Sequence, residues 1–137
     1  MTVAGGLIQF IDLYNMAIHI TSTTKSARVR PNSKDELRSI IKNELKQQGP
    51  DANLNFIDTS LITDMDMLFY NINKEILVGN IKIDQWDVSN VTTMSGMFYG
   101  CDECNTDIST WDISNVRHMG LMFVGCPIDD SYKPKFK

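Results

Sequence analysis

Histidine and cysteine are scarce in this chain, with two of the former and three of the latter. A four-thiolate zinc centre is therefore impossible within one chain. His118 completes a three-Cys, one-His set with Cys101, Cys104 and Cys126 on paper, yet Cys101 and Cys126 each follow a glycine at the end of a repeated phrase, where small buried side chains are predicted. Packing is the expected role; stacked on neighbouring units, these two thiols could also lie close enough to bridge under oxidation, which only coordinates test. Glycine-rich phosphate loops, HExxH and nucleophile elbows are also missing, and neither His19 nor His118 has a nucleophile beside it in sequence. The expectation is a protein that is not an enzyme and needs no cofactor or metal.

Long apolar runs are lacking as well. Asp12, Asn15 and His19 interrupt the greasy N-terminal stretch before it approaches the ~20 residues that span a bilayer. A basic n-region and an unbroken apolar h-region are missing from the same stretch, so no secretory signal is predicted. These absences predict no membrane association and a cytoplasmic location, or a surface one if a leader has been removed.

What remains is an ordinary folded composition, 42% apolar and 22% charged over 137 residues, enough for one domain with a real core. Charge is unevenly spread. Residues 51–126 carry three Lys or Arg against eleven Asp or Glu, a net of −8, while residues 1–50 carry seven against four. Such an acidic middle argues against nucleic-acid binding by that segment and favours a basic partner.

The dominant pattern is an internal repeat. WDVSNVTTMSGMFYGC at 86–101 recurs as WDISNVRHMGLMFVGC at 111–126, a spacing of 25 residues within the range of stacked repeat units. A looser copy precedes them, in which Asp58, Ser60, Ile62, Met65 and Phe69 match Asp87, Ser89, Val91, Met94 and Phe98 at a spacing of 29. Insertions in the intervening NINKEILVGNIKI cost little, because loop-closure entropy grows slowly with length.

Within each copy the apolar period changes. Trp86, Val88 and Val91, like Trp111, Ile113 and Val116, suggest a brief strand. Met65, Leu68 and Phe69 recur at i, i+3 and i+4, as do Met94, Met97 and Phe98, and Met119, Met122 and Phe123, which predicts one face of a short helix. Thr63, Thr92 or Thr93 would cap these helices, and Gly100 and Gly125 fall where a left-handed terminator belongs. Each unit thus reads as strand, turn and helix, and three are about the minimum for a stable stack.

Ahead of the repeats, SKDELRSIIKNELKQQGP at 33–50 predicts an amphipathic capping helix. Ser33 and Glu36 form a capping box, Leu37, Ile40, Ile41 and Leu45 an apolar stripe, and Gly49-Pro50 a stop. The predicted organisation is a segment at 1–32 packed on the cap, the cap at 33–50, repeats at about 54–79, 80–104 and 105–126 within 51–126, and a tail at 127–137. Tyr132 and Phe136 are the large apolar groups of that tail, so the last repeat is expected to stay partly open, a place for a partner or a second copy.

The phrases WDVSNVTTMSGMFYGC and WDISNVRHMGLMFVGC, with IDTSLITDMDMLF and the lead-in DELRSIIKNELKQQGPDANLNFID, resemble the BspA-type leucine-rich-repeat proteins, also catalogued as a mycoplasma lipoprotein domain of unknown function. The resemblance covers residues 31–126. It implies an α/β repeat, a short leucine-rich-repeat-like right-handed solenoid of three strand-turn-helix units with an N-terminal capping helix. It also implies adhesion or protein binding in place of catalysis. Surface members carry an anchor or leader and many repeats; three unanchored copies point to a small intracellular binder.

The repeated residues are explained by building. Met and Phe at helical spacing fill the core, the tryptophans stack on adjacent units, and Asp58, Asp87, Asp112 with Ser60, Ser89, Ser114 serve turns, while Asn90 and Asn115 form a ladder. Function is therefore expected where copies differ or project acids: Asp84, Gln85, Asp102, Glu103, Asp107, Thr110, Arg117 and His118. The predicted role is a non-catalytic protein-protein interaction module, or a phage- or mobile-element-type inhibitor whose acidic repeats block a basic, nucleic-acid-handling protein.

Overall fold

A computed structural model describes residues 28–72 and 77–135. Most of the predicted segment at 1–32, from residue 1 to residue 27, lies outside the described residues. The first element is helix α1, Lys34–Gln48. Its start follows from local chemistry: the Ser33 hydroxyl accepts the Glu36 N–H, and the Glu36 carboxylate reaches back to the Asn32 N–H. Gly49, at φ +90°, ends it and donates its N–H to the Leu45 carbonyl. Leu37, Ile40, Ile41 and Leu45 are wholly buried, so the apolar stripe lies against the repeats.

The repeats themselves overturn the strand-turn-helix solenoid. Among the described residues α1 is the one α-helix, a three-residue 3₁₀ turn spans Asp130–Tyr132, and no strand or sheet forms. In place of strands there are single parallel bridges, Asp64 to Thr93, Thr93 to His118 and Asn53 to Lys82 within and between copies, with Val29 to Ile57 before them.

Each copy is a chain of tight turns, and two physical reasons exclude the predicted elements. In the segment read as strand, the Asp87 carboxylate accepts the Ser89 N–H and the Val91 N–H returns to the Val88 carbonyl, so the backbone bends before a second ladder pair forms. In the segment read as helix, alternate N–H groups leave the coil. Met65, Met67 and Phe69 donate to the carbonyls of Thr93, Ser95 and Met97, and Met94, Gly96, Phe98 and Gly100 donate to those of His118, Gly120, Met122 and Val124. An i to i−4 ladder needs those same donors. The spacing i, i+3, i+4 still buries Met65, Leu68 and Phe69, through successive turns in place of a helix.

Two positions of every turn chain lie in the left-handed region: first Met67 at φ 57°, Gly96 at φ 63° and Leu121 at φ 62°, then Asn71 at φ 50° and Gly100 and Gly125 at φ 74°. Gly96 has a second reason to lack a side chain, since a Cβ there would meet the Met67 sulfur at 2.1 Å. Met67 thus leans over its neighbour, and glycine makes the room.

The copies pack in register. Phe69, Phe98 and Phe123 stack with centroids 5.2 and 6.0 Å apart, and the rings of Trp86 and Trp111 lie 6.3 Å apart at 8°. The two indole N–H groups donate to the carbonyls of Leu54 and Ile83, so each tryptophan also ties its coil to the one before. Polar side chains do the same at the edges: Asn90 and Asn115 donate to the carbonyls of Ser60 and Ser89, and Asn80 and Asn105 accept the N–H groups of Asn105 and Asp129. The predicted threonine caps serve this purpose too, Thr92 donating to the Thr63 carbonyl and Thr93 to the Asp66 carboxylate.

Helix α1 closes the first coil with two side chains. Gln48 exchanges amide hydrogen bonds with both backbone groups of Asn53, and Arg38 Nη1 donates to the carbonyls of Met67, Leu68 and Tyr70. The far end is less protected: Met94 and Phe98 are wholly buried, whereas their counterparts Met119 and Phe123 are half-buried.

Candidate protein-binding surface

All eight residues singled out from the sequence are exposed, and the fold distributes them over three places. Asp84, Asp107 and Thr110 share a recess of about 280 Å³ with Asn80, Lys82, Asn105 and Tyr132. Within it the Thr110 hydroxyl donates to the Asp84 carbonyl, and Asn55 donates its amide to the Asp84 carboxylate. The neighbouring Gln85 gives its backbone N–H to Asn55. Asp107 accepts the hydroxyl and N–H of Ser109, which hold its carboxyl below the usual range.

Asp102 stands elsewhere, on a groove of about 400 Å³ lined also by Phe69, Tyr70, Ile72, Leu77, Tyr99 and Cys101. Glu103 follows it in the chain and is exposed. Tyr70 and Tyr99 meet edge to face, centroids 5.5 Å apart, and Tyr70 and Leu77 are 41% and 56% exposed, so among the described residues this recess presents apolar side chains with an acid beside them. Sequence reasoning missed the groove, although Tyr70 and Tyr99 occupy matching repeat positions and were visible as a pair. Arg117 and His118 lie apart from both recesses, at the start of the last turn chain.

All three cysteines are free thiols, with Cys101 and Cys104 buried and Cys126 partly so. The Cys126 thiol donates to the Cys104 carbonyl at 3.3 Å, while the Cys101 thiol donates to Phe69. Burial pushes the Cys101 thiol up to about 12. Its hydrogen bond with Cys126 raises Cys104 strongly, and the same contact lowers Cys126. Among the described residues no three His, Cys, Asp or Glu groups gather to hold a metal ion. No helix among them is long and apolar enough to cross a membrane.

With helix and turn chains in place, comparison with known proteins is informative in one respect. The model of the family described as "Mycoplasma protein of unknown function, DUF285" matches residues 37–129, from the buried face of α1 to the 3₁₀ turn. The chain belongs to the DUF285 family. No curated protein and no solved structure matches it. The DUF285 match takes in α1 and all three turn chains together, the same residues that the cross-coil hydrogen bonds join.

Proposed function

We propose that this DUF285 member is a non-catalytic protein-protein interaction module of the BspA-like type. The supporting observation is the groove between Tyr70, Leu77 and Tyr99, a surface open among the described residues with exposed apolar side chains and Asp102 on its rim. Two aromatic anchors beside an acid suit an apolar segment that carries a basic residue. The partner is another protein, with no nucleic acid, membrane or cofactor required. A chain tagged at its C-terminus and used as bait, alongside Tyr99→Ala and Asp102→Lys variants, tests this. One prey lost from both variants, which keep the parent's thermal stability, is the expected result. Prey that are retained equally by both variants overturn the assignment.

A second reading rests on the net charge of −8 over residues 51–126. It makes the chain an intracellular inhibitor that occupies the basic face of a nucleic-acid-handling protein. A salt series separates the two: capture lost between about 0.1 and 0.5 M salt supports the electrostatic partner, and capture indifferent to salt supports the groove.

A further inference from the structure

The two ends of the stack are chemically unequal. Every inner coil sends a row of alternate N–H groups to the carbonyls of the coil after it, from Met65, Met67 and Phe69 and then from Met94, Gly96, Phe98 and Gly100. The corresponding donors of the last coil belong to Met119, Leu121, Phe123 and Gly125. Among the described residues these four N–H groups meet no acceptor. The described part of the tail, up to residue 135, does not supply one: Asp129 and Tyr132 bond to Asn105 and Ile108, and Lys133 lies over the Phe123 ring at 5.2 Å.

The chemistry of this edge selects its occupant. A second copy docked through the same edge would set donors against donors. Head-to-tail joining would lose half its bonds, because Arg38 already takes the Leu68 and Tyr70 carbonyls, two of the four in the first coil that match the acceptors of the inner coils. The edge is also the basic part of an acidic repeat region: no Asp or Glu occurs between Asp112 and Asp129, while Arg117 and His118 are exposed there. Leu121 and Val124 beside them are 64% and 48% exposed.

We propose that the edge formed by Met119, Leu121, Phe123 and Gly125 binds an extended acidic segment of another protein, which lies parallel to the last coil and offers carbonyls at alternate residues. This is edge augmentation, with the backbone giving affinity and Arg117 and His118 giving selectivity for acids. A glycine belongs opposite Leu121, as Gly96 stands opposite Met67. The inference rests on the chain being an interaction module but uses a different surface from the tyrosine groove, so Tyr99→Ala leaves it intact.

The probe is a synthetic peptide copying residues 90–100 with Thr92→Asp and Thr93→Asp, which places two acids beside Arg117 and His118. Amide exchange of the full chain is followed by NMR with and without peptide. Addition is expected to slow exchange at Met119, Leu121, Phe123 and Gly125 by about tenfold or more, with Met122 and Val124, already bonded within their coil, unchanged. Arg117→Glu weakens binding about tenfold or more while thermal stability stays at the parent's value. No protection at the four amides overturns the proposal. So does protection that grows with chain concentration alone, which makes the occupant a second copy, or protection already present in the free, dilute chain. Loss of groove-dependent capture with these four amides still protected would sink the groove and spare the edge.

Discussion

Arg38→Met should destabilise the protein by about 2 kcal/mol, and the figure follows from what the guanidinium does. Its Nη1 donates to the carbonyls of Met67 at 2.8 Å and Leu68 at 2.7 Å, with a longer bond to Tyr70 at 3.3 Å. A hydrogen bond from a charged donor is worth roughly 1.5–3 kcal/mol net when buried. Met67 and Tyr70 are exposed enough for water to replace part of the loss, which places the total near the lower end of that range. Methionine keeps the apolar stem, so packing along α1 is preserved and the change isolates the hydrogen bonds. Lysine should recover only about half, because one ammonium cannot reproduce the planar fork. Urea unfolding measures both, with equal slopes required so that midpoints compare directly. Faster amide exchange at residues 65–70 than at 94–100 would locate the damage. If Arg38→Met lies within about 0.5 kcal/mol of the parent, or lysine matches arginine, the guanidinium does not close the stack.

Three further outcomes can be checked with the same instruments. Gly96→Ala should cost about 1–3 kcal/mol, from the left-handed backbone and the displaced Met67 sulfur, and the cost should shrink by about 1 kcal/mol in a Met67→Ala background; an unchanged cost in that background refutes the steric part. Leu121→Gly should leave stability equal or raise it by about 0.5 kcal/mol, because an exposed leucine at φ 62° gives up strain that exceeds the entropy cost of glycine; a loss of 1 kcal/mol or more counts against strain there. Acid should destabilise the fold. The Ser60 hydroxyl and N–H and the Arg30 guanidinium hold Asp58 at about 2 against 3.8, so its contribution is complete above pH 4 and lost as pH falls towards 2, with Asp107 and Asp129 shifted in the same direction. Melting curves from pH 7 to pH 2 should steepen below pH 4 in the parent and less so in Asp58→Asn; parallel curves would show that Asp58 is not among the groups that titrate.

The units, the core and helix α1 were legible in the sequence, and the conformation of the units was not. Repeat spacing alone aligned Phe69 with Phe98 and Phe123, and the stripe from Leu37 to Leu45 defined the buried face of α1. The period of three and four around Met94 misled because burial records direction without recording which hydrogen bonds produce it. A helix and a series of turns both bring Met94, Met97 and Phe98 to one side. The discriminating signal was glycine or an unusual backbone at the third position, hidden because Met67 and Leu121 hold it without being glycine. The tyrosine groove does not show in the differences between copies, because Tyr70 and Tyr99 are alike at matching positions.

In a fold held by turns, polar side chains become part of the backbone bonding, and this sorts the eight exposed candidates. Asp107 accepts from Ser109, Asp84 accepts from Asn55, Thr110 donates to the Asp84 carbonyl, and Gln85 gives its N–H to Asn55. These four residues support the coils, so their replacement changes shape as well as surface. Among the described residues, the side chains of Asp102, Glu103, Arg117 and His118 make no hydrogen bond or ion pair. Binding can draw on these four without loosening a turn, since any partner bond replaces water and not a structural contact. They also divide by chemistry: Asp102 lines the tyrosine groove, and Arg117 and His118 adjoin the row of open amides. A stack that uses its inner polar groups for cohesion thus leaves two opposite chemistries free, one on its flank and one at its end.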